Sequence, residues 1–215
     1  MSDKKQAPAT SRNRDPILRV LKDHIPNGGA ENDHGPERSG VNTRPEILEI
    51  ASGSGEHCLY FADQLPGCSF TPSDIDDENL ASIKAYMLDS RHGNIREPVY
   101  LDAARPEDWP PVRPDMIMCI NMLHISLWQA AQGLFIGASE YLSAGGKLFL
   151  YGPFFEDDVK TAPTNASFHR SLRMRNKNWG LRNLKHVNRL ADRSGFQMIK
   201  RVEMPANNLC LIYQI

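Results

Sequence analysis

The chain has 215 residues, enough for one domain with a sizeable core and little more. At 40% hydrophobic and 24% charged it has the composition of an ordinary globular protein, which excludes a fibrous or largely disordered chain. The formal net charge of −1 argues against a dedicated nucleic-acid binder.

That total hides an asymmetry. From Lys160 to Arg201 there are eleven Lys or Arg and one acid, Asp192. Solvated helix surface accounts for such charges; an anionic substrate or RNA is the alternative. No apolar run approaches the roughly 20 residues that span a bilayer. The opening MSDKKQAPAT lacks the apolar core of a secretory signal, so an intracellular, cytoplasmic protein is expected. Cys58, Cys68, Cys119 and Cys210 form no C-x-x-C pair, and buried reduced thiols are expected rather than disulfides or a zinc site.

Residues 1–12 read as a flexible arm before a single domain over 13–215. Asp15-Pro16 is a helix start, and Ile17, Leu18, Val20 and Leu21 give the short helix an apolar side. Residues 27–45, with Gly28, Gly29, Gly35, Pro36, Gly40 and Pro45 among polar residues, read as a mobile loop. Strands and helices then alternate. Ile47–Ala51 is a strand, and 56–65 a helix with Leu59, Tyr60 and Ala62 inward. A strand over 69–73 precedes a helix over 76–90, with Leu80, Ile83, Met87 and Leu88 on one side. Val99–Leu101 is a weak third strand. Met116–Ile120, apolar throughout, is the strand for a sheet centre. Apolar residues recur at helical spacing from Trp128 to Leu142, and Gly145-Gly146 stops that helix before a strand over 147–151. A helix over 181–193 leads to strands at 197–202 and 209–213, which the Pro-Ala-Asn-Asn turn at 205–208 joins as a hairpin. The pattern predicts an α/β, doubly wound, mostly parallel sheet, whose ligands bind beyond the carboxyl ends of the strands.

Four features fall at those strand ends. The first is Glu49-Ile50-Ala51-Ser52-Gly53-Ser54-Gly55, a strand turning tightly into a helix. A dinucleotide loop needs a third glycine where Cys58 stands, so that fingerprint fails. A carboxylate at Glu49 suits a cationic ligand better than a pyrophosphate. The second is Asp74, placed to accept hydrogen bonds from ribose hydroxyls, while Asp76 or Asp77 caps the next helix. The third is Asp102, which either meets an adenine amino group, with Leu101 or Ala103 packing the ring, or closes a local turn. The fourth is Asn121-Met122-Leu123-His124, close to where a bound sulfonium would lie. His124 is a candidate general base or a packed histidine. One nucleoside ligand explains the four jointly.

With these residues the chain resembles the class I S-adenosylmethionine-dependent methyltransferases. More narrowly it is similar to the family of methyltransferase-like protein 26. Arg12-Asn13 with Pro16-Ile17-Leu18, LEIASGSGEH at 48–57, PSDID at 72–76 and NMLHI at 121–125 carry that likeness. So do LYGPF at 150–154, TAPTNASF at 161–168, WGLR at 179–182 and EMPANNL at 203–209. The stretch at 27–44 is longer than the family's usual link. The resemblance implies a seven-stranded sheet whose last strand is antiparallel and inserted beside the fifth. It implies cofactor contacts at Glu49, Gly53, Gly55, Asp74 and Asp102, to which the strand-end reading adds Ala51 and Asn121. It supplies no acceptor. Asn13, Thr161, Asn165, Asn207 and Asn208 are polar residues outside the cofactor set, expected either to line an acceptor pocket or to stabilise loops. No N-P-P-Y turn follows the fourth strand, which favours a small-molecule acceptor at oxygen, nitrogen or sulfur over a nucleic-acid base. The competing readings are a cofactor-binding protein without catalysis, a nicotinamide-dependent oxidoreductase, and an RNA or protein methyltransferase that uses the basic region 160–201.

Overall fold

Short apolar runs buried on both faces build the centre of the molecule. A computed structural model describes residues 4–26 and 44–215, so the loop expected at 27–45 lies outside the described residues but for its last two positions. Strands β1 (Glu46–Ile50), β2 (Ser69–Asp74), β3 (Val99–Tyr100), β4 (Met116–Ile120) and β5 (Lys147–Gly152) pair in parallel in the order β3-β2-β1-β4-β5. Strands β8 (Gln197–Met204) and β9 (Asn208–Gln214) close the chain as an antiparallel hairpin. The last strand, β9, inserts antiparallel beside β5 and leaves β8 at the edge. The seven-stranded sheet expected from the resemblance is therefore the observed one.

The period of two divides the core. Leu48 and Ile50 of β1, Ile117 and Cys119 of β4, Leu148 and Leu150 of β5, and Leu211 and Tyr213 of β9 face one way. They meet helices α4 (Trp128–Tyr141) and α6 (Leu184–Arg193). Ile47, Met116, Met118, Phe149 and Ile212 face the other way, against α1 (Thr10–Lys22) and α2 (Glu56–Gln64). The four cysteines are free and buried across both layers. Helix α3 (Asp77–Met87) follows β2.

Several expectations are corrected. Helix α1 begins at Thr10, so Pro16 lies inside it rather than at its start. Buried Thr10 and Asn13 hold the extra turn, which offsets the hydrogen bond that proline cannot make. The arm expected to be flexible is tied down from Lys4. Lys5 N–H donates to Ser82 Oγ at 2.8 Å, Tyr86 donates to Lys5 O at 3.0 Å, and Ala7 N–H reaches Glu56. In α2 the inward residues are Cys58, Phe61 and Ala62, one position from the expected Leu59 and Tyr60. Leu88 is 83% exposed, since α3 ends at Met87 and only Ser82 and Ile83 are buried. Helix α5 (Pro163–Arg175) has no counterpart among the expected elements, because Asn165 and Leu172 are its sole buried residues and apolar periodicity is absent. Two dipeptide strands, β6 (Phe154–Phe155) and β7 (Arg182–Asn183), form a separate parallel pair, and α6 starts after them at Leu184. No described helix is long and apolar enough to cross a membrane.

Helix α4 lies hard against the loop after β3. A Cβ on Gly133 would come within 1.9 Å of Ala103 O, which is backbone and cannot swing away. Gly133→Ala is expected to lower stability by about 1–3 kcal/mol in urea unfolding, the usual penalty of overpacking.

Candidate functional site

The strand order reverses between β1 and β4, so the chain leaves their carboxyl ends in opposite directions and opens a crevice there. After β1 the backbone turns left-handed at Ala51 (φ 57°), Gly53 (φ 58°) and Gly55 (φ 90°). The turn is stitched to β2. Ser52 N–H donates to Ser73 O at 2.8 Å, Ser73 Oγ donates to Glu49 O at 2.7 Å, and Gly53 N–H donates to Asp74 Oδ2 at 2.8 Å. The glycines differ in role. A Cβ on Gly55 would lie 2.9 Å from Ile83 Cα, so this glycine lets α3 approach; a Cβ on Gly53 would meet nothing within 4 Å. Gly53 is the open backbone that a ligand can reach.

Glu49 is the anomaly of the site. It is 1% exposed, and its Oε2 has no hydrogen-bond partner among the described residues. Burial raises its pKa from the ordinary 4.5 to about 8, Ser52 opposes the rise, and the neighbouring Asp74 charge adds to it. Asp74 is buried beside it. Its Oδ1 accepts from Asp76 N–H at 3.1 Å and from Asn79 Nδ2 at 3.2 Å. Asp76 caps α3 by accepting from Asn79 N–H at 2.9 Å, the role expected of Asp76 or Asp77.

Of the two readings of the third feature, the structure shows the local turn. Asp102 closes a local turn by accepting from Ala104 N–H at 2.9 Å. Leu101 and Ala103 are buried in the α4 layer. The apolar surface beside Asp74 comes instead from Ile75, 59% exposed, and Tyr100, 49% exposed.

On the β4 side Asn121 takes a left-handed φ of 62°, and its N–H donates to Tyr151 O at 2.8 Å. Buried His124 follows in a short turn. Arg182 pins that turn by donating to Leu123 O at 2.8 Å and Ser126 O at 2.6 Å, and Phe168 stacks edge-on to the imidazole. A Cβ on Gly152 would sit 3.4 Å from His124 Nδ1, so the ring covers the end of β5. Burial holds His124 neutral by lowering its pKa to about 4, with help from the Arg182 charge.

Four of the five polar residues expected at an acceptor pocket share one cleft. Thr161, Asn165, Asn207 and Asn208 line a cavity of about 270 Å³ with Phe154, Met204 and Leu209, at the same end of the sheet as Gly152. Asn165 Nδ2 donates to Asn207 O at 2.9 Å and Asn207 Nδ2 to Thr164 Oγ at 3.2 Å, so two of them also brace the hairpin. Asn13 is elsewhere, paired with His57 Nε2 at 2.8 Å. Arg201, on the cleft wall, is clamped by Glu156 through two 2.8 Å bonds.

His57, Tyr151, Ile75 and Arg182 were not singled out from the sequence. A hydrophobic residue directly after a strand-end acid was the available signal for Ile75. The others depend on partners far away in the chain.

Two pH dependences follow. Glu49 ionises less readily folded than unfolded, so the ligand-free protein loses stability as pH rises from 4.5 to about 8. Glu49→Gln is expected to gain on the order of 2–4 kcal/mol over the wild type above pH 8, and little at pH 4.5, in urea unfolding. His57 and His124 are both held down to about 4, mainly by burial. Their contribution is present above pH 6.5 and is lost as pH falls toward 4. His124→Gln should flatten the fall in melting temperature across that window.

The match to a family model described as a protein of unknown function (DUF938) runs over residues 4–215. Among solved structures, an O-methyltransferase family protein from Burkholderia thailandensis superposes with a TM-score of 0.73 at 16% identity, covering 96% of this chain and 57% of that one. Human N-acetylserotonin methyltransferase in complex with SAM gives 0.72 at 16%, covering 96% and 52%. An O-methyltransferase family 2 protein from Planctomyces limnophilus in complex with apigenin gives 0.73 at 17%, covering 96% and 60%. The chain thus spans 52–60% of the length of these three. At such identities the likeness establishes the Rossmann-like methyltransferase fold. By its match over nearly the whole length, the chain belongs to the DUF938 family.

Proposed function

We propose that this protein is an S-adenosylmethionine-dependent methyltransferase acting inside the cell, in the cytoplasm, on a small-molecule acceptor. The observation that carries this reading is the Glu49 carboxylate, buried, one oxygen unpartnered, beside a second acid and in front of the open Gly53 backbone. A buried carboxylate next to another carboxylate calls for a cation. The donor set fits a cationic nucleoside: Glu49 for the positive end, Asp74 for ribose hydroxyls, and Ile75 with Tyr100 for the flat base. When bound, S-adenosylmethionine supplies an electrophilic methyl on a cationic sulfur. The chain's own part is to neutralise that charge, orient the acceptor and exclude water.

The acceptor is set by the cleft beside β5. Its 270 Å³ suits a small metabolite better than a polymer. The basic region offers less free charge than its sequence suggests. Arg182 is spent on the His124 turn, Lys185 pairs with Asp157 and Arg201 with Glu156. The segments at 48–57, 121–125 and 203–209 support placement near methyltransferase-like protein 26.

Calorimetry should detect S-adenosylhomocysteine binding and no comparable binding of NAD. Asp74→Ala should weaken the former about 10- to 100-fold, the loss of hydrogen bonds to a charged group. A labelled-cofactor screen of metabolites should yield product with the wild type and far less with that variant. NAD binding in preference to S-adenosylhomocysteine would overturn the assignment.

A further inference from the structure

The segment ahead of α1 is held by a polar stripe that helical spacing creates. Asn79, Ser82 and Tyr86 stand three and four residues apart on α3, so they share one face. Lys5 docks on all three. Its N–H donates to Ser82 Oγ at 2.8 Å, its carbonyl accepts from the Tyr86 hydroxyl at 3.0 Å, and its ammonium donates to Asn79 Oδ1 at 2.9 Å. Glu78, 3.1 Å from the ammonium, and Asp76, 3.6 Å away, keep that charge over the first turn of the helix.

Two of these contacts continue to the crevice. An ammonium only donates, so Asn79 turns its amide oxygen to Lys5. Its Nδ2 then faces Asp74 Oδ1 at 3.2 Å, and a carboxylate only accepts. A flipped amide would lose both bonds at once. Ser82, 0% exposed, passes the second contact on: its hydroxyl accepts from Lys5 and donates to Ser54 O at 2.7 Å. Ser54 stands between Gly53 and Gly55 in the loop after β1. Its own hydroxyl donates to Glu56 Oε2 at 3.1 Å, the oxygen that also receives Ala7 N–H. Residues 5–7 are therefore linked to the glycine loop through Ser82 and Glu56, and to Asp74 through Asn79.

We propose that Lys5 is a positioning residue for nucleoside binding, and that docking of residues 4–9 on α3 and filling of the crevice stabilise each other. This rests on the reading of Asp74 as the ribose acid. Two ribose hydroxyls need the Asp74 carboxylate held in one plane, and the N–H groups of Gly53, Asp76 and Asn79 hold it. Undocking residues 4–9 frees Asn79 and Ser54 for other arrangements, which a ligand must reverse at a cost in affinity. Linkage makes the effect reciprocal: the factor by which undocking weakens the ligand is the factor by which the ligand strengthens docking. Lys5 acts through Asn79 and Ser82 rather than on the ligand itself.

The test uses the full chain, with S-adenosylhomocysteine as the probe. The Lys5 side chain is 39% exposed, so its replacement leaves the core intact. Calorimetry should show Lys5→Met binding the probe about 2- to 5-fold more weakly than the wild type, the span of a partly exposed ionic contact. Asn79→Ala should lose at least as much, and the double variant no more than Asn79→Ala, since the ammonium acts through that amide. Amide exchange at Lys5 and Ala7 should slow about 5-fold or more with saturating probe, and less in Lys5→Met. Wild-type affinity in Lys5→Met, whatever its melting temperature, makes the contact structural only and overturns the proposal. Tighter binding by that variant means that Asn79 competes with the ribose for Asp74, and overturns it too. So do losses that add in the double variant, or exchange at Lys5 and Ala7 that ignores the probe. Absence of binding in the wild type defeats the nucleoside reading instead, and this proposal with it.

Discussion

Two carboxylates end adjacent parallel strands, and the geometry of the crevice follows from how the chain tolerates them. Glu49 cannot shed its burial without breaking the central strand, whose neighbours Leu48 and Ile50 belong to the core. It therefore resists ionisation, while Asp74 is surrounded by N–H groups from Gly53, Asp76 and Asn79. The loop between them is shaped by the same need. Left-handed Gly53 aims its backbone N–H at Asp74, and the space before it is clear. Strain and unsatisfied polarity of this kind cost stability and persist where a ligand repays them.

The other side of the crevice is built differently. There the polar groups are neutral and buried. Arg182 holds the turn that carries His124. The His124 imidazole is kept uncharged by burial and by the Arg182 charge. The tied-down residues 4–9 extend the acidic side, since Lys5 bonds Asn79, which in turn bonds Asp74.

Much of the fold was legible because the sheet signals are local. Met116–Ile120 is apolar at every position, as a strand covered on both faces must be, and the turn at 205–208 marks the closing hairpin. Helix α5 was not legible, for it buries little beyond Leu172 and Asn165. The register of α2 was misread because Leu59 and Tyr60 are as apolar as the buried Phe61, and only packing chooses among them. The crevice residues Glu49, Gly53 and Asp74 were legible for the same local reason that the strands were: each sits at a strand end that the pattern marks.

By itself, then, the sequence determined the alternating strands, the glycine turn after an acid, the second acid one strand later and the absence of a third glycine. These are properties of short segments, set by side-chain period and backbone freedom. Tertiary structure alone decided that Ile75 and Tyr100 offer apolar surface beside Asp74. It also decided that Asn13 belongs to His57, and that Asn207 and Asn208 share a cleft with Thr161 and Asn165. These pairings join residues more than 40 positions apart, and no local pattern encodes which distant partner a polar side chain will meet.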